Sequence, residues 1–168
     1  MSEHVYQLFK HIKAIAMDVD GVLTDGTLLC TDSGEWIRRM SIKDGYAIAH
    51  AVKNGLHVAC ISGSIGEGVK KRMQRLGVEF VFQDVQDKSV VLNEWLQSVN
   101  VKLEETIFIG DDIPDLIAMK TVALPCCPND AVPEVIEASK YVSPRDGGDG
   151  CVRDIIEKVM KLQGTWYA

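Results

Sequence analysis

The sequence predicts a three-layer α/β domain of Rossmann-like type, with a central parallel sheet and a β-hairpin flap after the first strand. Three observations carry this. Short apolar runs alternate with stretches of helical periodicity, the pattern left by right-handed β–α–β crossovers. Those runs are continuously apolar rather than alternating, as expected of strands covered on both faces. One segment directly after the first run breaks the pattern and reads as two short strands around a polar turn.

The elements follow in order. Ile12-Lys13-Ala14-Ile15-Ala16-Met17 reads as the first buried strand and ends in carboxylates. Thr27–Cys30, the polar turn Thr31-Asp32-Ser33-Gly34 and Glu35–Met40 form the hairpin, so the flap covers about residues 25–41. Asp44 to Asn54 places Tyr46, Ile48, Ala49 and Val52 at helical spacings and stops before Gly55, a natural helix end. Leu56–Ile61 is the next strand, Glu67 to Leu76 a helix closed by Gly77, and Phe80-Val81-Phe82 a third strand. Lys88 to Val99 carries Val91, Leu92, Trp95, Leu96 and Val99 on one stripe. Thr106–Ile109 is the fourth strand, Val122–Leu124 a weaker fifth candidate, and Asp154 to Leu162 a last helix.

A chain of 168 residues suits one domain, spanning 1–168 with a C-terminal tail over about 145–168. Hydrophobic residues at 46% and charged residues at 25% are globular proportions that exclude disorder. The net charge of −6 disfavours nucleic acid and anionic membrane as partners, since both reward a basic surface. No apolar run reaches the roughly 18 residues a membrane span needs, and Met1 to Lys10 lacks an apolar signal-type core. Five irregularly spaced cysteines suggest reduced thiols, hence an expected cytoplasmic location.

Ligands of open parallel sheets bind at the carboxyl ends of the strands. The first run is followed by Asp18-Val19-Asp20-Gly21, the second by Ser62-Gly63-Ser64, the third after a few residues by Asp87-Lys88, and the fourth by Gly110-Asp111-Asp112. Carboxylates, a hydroxyl and an ammonium are thus offered to one rim. Alternation turns Asp18 and Asp20 to the same side. Together with Asp111 they would repel one another unless a hard divalent cation joined them. A phosphoryl group suits such a place: cation and Lys88 neutralise it, Ser62 donates to it, one aspartate attacks and the other moves a proton.

Asp18-Val19-Asp20-Gly21-Val22, Ser62, Lys88 and Gly110-Asp111-Asp112-Ile113-Pro114-Asp115 resemble, in order, the four motifs of the haloacid dehalogenase-like phosphatases. The resemblance implies Asp18 as nucleophile and Asp20 as the acid that later activates water. Ser62 and Lys88 then hold the phosphoryl group. Mg²⁺ is taken by the Asp18 carboxylate, the Asp20 backbone carbonyl and Asp111, with Asp112 acting through a water.

The hairpin insert, Ile42-Lys43-Asp44-Gly45-Tyr46-Ala47-Ile48, Val69-Lys70-Lys71-Arg72 and Gly147-Gly148-Asp149-Gly150-Cys151-Val152-Arg153 are similar to a capless branch of that family. Its members act on octulosonate or nonulosonate phosphates. This implies a sugar-acid phosphate substrate, with Lys43, Asp44 and Arg72 at its acid end. It also implies a homotetramer whose flap and C-terminal tail reach neighbouring active sites. Ser64 is neutral where that branch commonly carries a charge, which leaves the sugar open.

Plainer readings stand beside these. Asp18–Gly21 is also compatible with a simple turn, though not with an EF-hand loop, because Val22 stands where an oxygen ligand is required. Asp111, Asp112 and Asp115 fit the acidic first turn of a helix, Asp44 a helix cap, and Arg72 a solvated basic face with Lys70, Lys71 and Arg75. Gly147 to Gly150 fits a flexible tail, and Cys126-Cys127 a pair of packed thiols. A receiver-type signalling module uses similar groups, but its acidic pair follows the first strand rather than the fourth.

Overall fold

The computed structural model describes residues 3–166. Helix α1 (Glu3–Lys10) precedes β1 (Ala14–Met17), and a two-residue hairpin follows, β2 (Leu29–Cys30) with β3 (Trp36–Ile37). Next come α2 (Ile42–Lys53), β4 (His57–Ile61), α3 (Glu67–Arg75), β5 (Phe80–Phe82) and α4 (Lys88–Ser98). The chain continues through β6 (Thr106–Ile109), α5 (Leu116–Met119), β7 (Leu124–Cys127), α6 (Pro133–Ala138), β8 (Tyr141–Val142) and α7 (Cys151–Leu162). The main sheet runs β5-β4-β1-β6-β7-β8, with every pairing parallel. Among the described residues no helix is long and apolar enough to cross a membrane.

Strand β1 lies inside the sheet, which is why all four of its residues are apolar and buried. Ile15 and Met17 face a layer containing Phe9, Ile48, Val69, Ile155 and Val159, from α1, α2, α3 and α7. Ala14 and Ala16 face Leu92, Trp95, Phe108 and Met119. Small residues on that side leave room for the Trp95 ring, which is buried as the sequence suggested. Met17 aligns with Cys60 on one side and Ile109 on the other, so β1, β4 and β6 end together. The residues following them share one rim.

Local chemistry sets the boundaries. The Ser41 hydroxyl accepts from the Asp44 amide to start α2, and the Asp87 carboxylate accepts from the Ser89 and Val90 amides to start α4. Lys88 therefore occupies the first position of α4 at the sheet rim.

Several expectations need correction. Helices α1, α5 and α6 and strand β8 are too short or too weakly periodic to have been read from sequence. The fifth strand is shifted to 124–127, where Cys126 and Cys127 are buried free thiols. The hairpin pairs only over two residues per strand, and Leu29, Trp36 and Ile37 remain exposed. The last helix, read over Asp154 to Leu162, is present and begins three residues earlier, at Cys151. Residues 145–166 do not extend away: α7 starts at Cys151 and buries Val152, Ile155, Ile156, Val159 and Met160 in the core, because that apolar stripe is covered by α2 and α1. Residues 167–168 of the expected tail lie outside the described ones. Gly147 and Gly148 are not a loose linker either. The Gly148 amide donates to Val22 O at 3.0 Å and the Gly147 amide to the Asp130 carboxylate at 2.9 Å. A Cβ at Gly147 would overlap the Gly21 carbonyl.

Candidate active site

The loop after β1 carries the first two carboxylates. The Asp18 amide donates to Ile109 O at 2.9 Å and so continues the β1–β6 ladder. The chain then turns sharply, with Leu23 and Thr24 amides both donating to Val19 O. Gly21 makes the turn at φ +84°, and a Cβ there would overlap the Asp111 carboxylate. Glycine is thus required twice, by the left-handed backbone and by the close approach of the β6 end.

A cavity of about 320 Å³ opens at this rim, lined by Asp18, Asp20, Ser62, Lys88, Asp111 and Asp115 among others. Lys88 is 5% exposed. Its Nζ lies 2.8 Å from Asp18 Oδ2 and 2.7 Å from Asp115 Oδ1. Asp115 Oδ2 accepts from the Asp111 and Asp112 amides at 3.0 and 3.4 Å, so both of its oxygens are occupied. Ser62 Oγ accepts from the Ser64 amide at 3.1 Å and sits 3.0 Å from Ser64 Oγ.

The electrostatics are unbalanced in one place. Burial, then the Asp115 charge, pushes Asp18 up to about 6 against the pull of Lys88. Burial followed by repulsion from Asp115, Asp18 and Asp112 pushes Asp111 up to about 8. Asp111 Oδ1 is buried without a hydrogen-bond partner. Asp18, Asp111 and Asp115 each bring an oxygen within 4.8 Å of the others. Like Asp115, Asp18 is engaged, Oδ1 accepting from the Val19 amide at 2.7 Å and Oδ2 facing Lys88. The orphaned Asp111 oxygen is therefore the one that asks for a hard cation, with Asp18 beside it. Asp112 is exposed and caps its own turn, accepting from the Ile113 amide at 2.7 Å.

Asp20 is held differently. Burial acts upward on it, but hydrogen bonds from Arg38 and Ser64 bring its carboxyl below the usual range. Arg38 directly follows the hairpin's return strand β3, and sequence reasoning missed it. Neighbouring Arg39 turns outward to Asp25 at 2.9 Å, and nothing in the local pattern separates the two. The sequence left Asp115 equally a first-turn acid or an outer group of the site, and its bond to Lys88, across 27 positions, decides for the second.

Three proposed substrate residues are not brought to this cavity. Asp44 is corrected outright: it is 1% exposed and accepts from the amides of Gly150 and Arg153. It thereby caps α7 rather than its own helix. The Arg72 guanidinium lies against Gly45, where any Cβ would overlap it. Lys43 faces a separate recess of about 660 Å³ beside α7. The i,i+4 ion pairs of α7 there, such as Lys158–Asp154 and Lys161–Glu157, describe a solvated helix face.

An open parallel sheet whose strand ends gather aspartates, a serine and a buried lysine around a cavity suited to a cation defines the class: a phosphoryl-transfer enzyme built on a parallel α/β sheet. The profile of haloacid dehalogenase-like hydrolases matches residues 71–155. A 3-deoxy-D-manno-octulosonate 8-phosphate phosphatase, KdsC, from Salmonella typhi is 31% identical over 98% of this chain and 87% of its own. The crystal structure of the Yersinia pestis 3-deoxy-D-manno-octulosonate 8-phosphate phosphatase superposes with TM-score 0.96 at 30% identity, covering 98% of this chain and 89% of that one. The Moraxella catarrhalis phosphatase of the same name, solved with magnesium, phosphate and KDO, gives 0.94 at 30% identity, covering 98% and 94%. The chain belongs to the haloacid dehalogenase-like hydrolases.

Proposed function

We propose that this chain is a Mg²⁺-dependent phosphatase of a sugar-acid phosphate, 3-deoxy-D-manno-octulosonate 8-phosphate, working through an Asp18-phosphate. The observation that carries the reading is the meeting of Asp18, Lys88 and the unpartnered Asp111 oxygen in one cavity. The names of the relatives supply the substrate.

In this mechanism an Asp18 carboxylate oxygen attacks phosphorus, and the bond to the sugar oxygen breaks with its electron pair leaving on that oxygen. Asp20 gives the departing oxygen a proton, which requires its carboxyl to be protonated in the substrate complex against the pull of Arg38 and Ser64. Asp20 then takes a proton from water, whose oxygen attacks phosphorus and releases phosphate and free Asp18. Lys88 and Ser62 hold the non-bridging oxygens, and Asp115 fixes Lys88. Asp18, Asp111 and the Asp20 carbonyl would hold Mg²⁺, with Asp112 through a water. When bound, the ion lowers the cost of gathering these charges and the phosphate in one place.

The reading extends to one hydrolase domain over residues 1–168, to a homotetramer and to the cytoplasm. Exposed Leu29, Trp36 and Ile37 on the hairpin support assembly through that element, and buried free thiols at Cys60, Cys126, Cys127 and Cys151 support a reducing compartment. Phosphate release from a panel of eight- and nine-carbon sugar-acid phosphates with Mg²⁺ tests the activity. Absence of release from every member of the panel would refute it. Sedimentation of active enzyme as a monomer would refute the tetramer.

A further inference from the structure

We propose that Arg38 is a positioning residue for Asp20, so that the hairpin is part of the proton-transfer apparatus rather than only a cover. The proposal rests on the phosphatase reading above.

Arg38 departs from a strand whose neighbours are exposed, yet its side chain is 5% exposed. Nε donates to Asp20 Oδ1 at 2.6 Å and Nη2 donates to Oδ2 at 3.0 Å. This is a two-point contact that fixes the carboxylate plane as well as its position. Nη2 also donates to Ser64 Oγ at 3.1 Å, and Ser64 Oγ donates to Asp20 Oδ2 at 2.7 Å. A serine hydroxyl has one hydrogen and two lone pairs. Its hydrogen goes to Asp20, one lone pair takes Arg38, and the other faces Ser62 Oγ at 3.0 Å. Asp20 is thus held from two independent elements, the hairpin and the loop after β4. Gly66 completes the seat, because a Cβ there would come 3.1 Å from Arg38 Nη1.

Holding the carboxylate plane matters only where its proton is used. A sugar alkoxide is a poor leaving group and needs that proton during P–O cleavage, whereas p-nitrophenolate leaves without one. In kcat/KM, which reports steps up to departure of the leaving group, a residue that aims Asp20 should therefore be felt by the alkyl ester and hardly by the aryl ester. The later attack of water on the Asp18-phosphate is common to both. A merely structural residue would affect both alike.

The experiment measures kcat and KM with Mg²⁺ for 3-deoxy-D-manno-octulosonate 8-phosphate and for p-nitrophenyl phosphate. It compares the wild type with Arg38→Ala, Arg38→Lys and Ser64→Ala. We expect Arg38→Ala to lower kcat/KM on the sugar ester by roughly 10- to 100-fold, with kcat/KM on the aryl ester little changed. Arg38→Lys should recover part of the loss, and Ser64→Ala should shift the ratio in the same direction by less. Should Arg38→Ala not fold, the lysine and Ser64 variants make the same comparison. Equal losses of kcat/KM on both esters, or no loss of kcat/KM on the sugar ester, would overturn the role of Arg38 alone. A wild-type chain that cleaves neither ester would overturn the phosphatase reading and the proposal with it.

Discussion

Asp44 and Arg153 are joined across 109 positions: the Arg153 amide donates to Asp44 Oδ1 at 2.7 Å, and the Gly150 amide donates to Oδ2 at 3.2 Å. An acid near the start of α2 thereby satisfies the free amides at the start of α7. The contact also anchors the 147–150 segment, whose Gly147 and Gly148 lie against the loop that carries Asp20.

Replacing Asp44 with Ala should therefore destabilise the fold by roughly 1–3 kcal/mol, from losing two bonds to a buried carboxylate. Denaturant unfolding measures this. An unchanged midpoint would show that α7 does not depend on the cap.

Asp18→Asn should remove phosphate release, leaving under about a thousandth of wild-type kcat, the scale on which losing a nucleophile acts. The same change removes a charge that burial and Asp115 already disfavour, so the variant should unfold no more easily than wild type. Substantial turnover by this variant would contradict an Asp18-phosphate.

The metal-free chain should lose stability as pH rises. Asp18 and Asp111 are raised from 3.8 to about 6 and about 8, so between those limits the folded chain binds more protons than the unfolded one. Stability then falls with pH across that window. Melting after chelation should occur at lower temperature at pH 8 than at pH 6. Mg²⁺ should narrow the gap, since it relieves the repulsion at high pH. Identical melting at both pH values would show that these carboxylates are not held together without metal.

Lys88→Met should cost roughly 3–5 kcal/mol, because it leaves Asp18 and Asp115 buried without their shared cation. Adding Asp115→Asn should restore part of the stability but none of the activity. Thermal melts and phosphate assays of the two variants separate the structural from the catalytic share.

Gly21→Ala should weaken Mg²⁺ binding more than it weakens the fold. The new Cβ meets the Asp111 carboxylate, and alanine at φ +84° adds strain of about 1–2 kcal/mol. Calorimetric titration with Mg²⁺ checks this, and an unchanged affinity would remove Asp111 from the ion's surroundings.

Much of the molecule was legible before any coordinates. Continuous apolar runs ending in Asp18, Ser62 and Asp111 follow directly from strands buried on both faces that stop at a common rim, so strand type and the position of the acids are encoded together. Lys88 was readable only from its order, a few residues after the third run and in the place of the family's third motif.

The contacts that join distant parts of the chain were decided only by the tertiary structure. Whether Arg38 or Arg39 turns inward depends on how a hairpin with two paired residues per strand settles over the rim, and no local periodicity records that. Asp44 looked like a substrate ligand or a cap for its own helix because its true partners, the α7 amides, lie more than a hundred positions away. Apolar pattern and strand-end chemistry are short-range properties written in neighbouring residues. The pairing of buried charges is settled by which elements pack together, and that is a property of the folded chain.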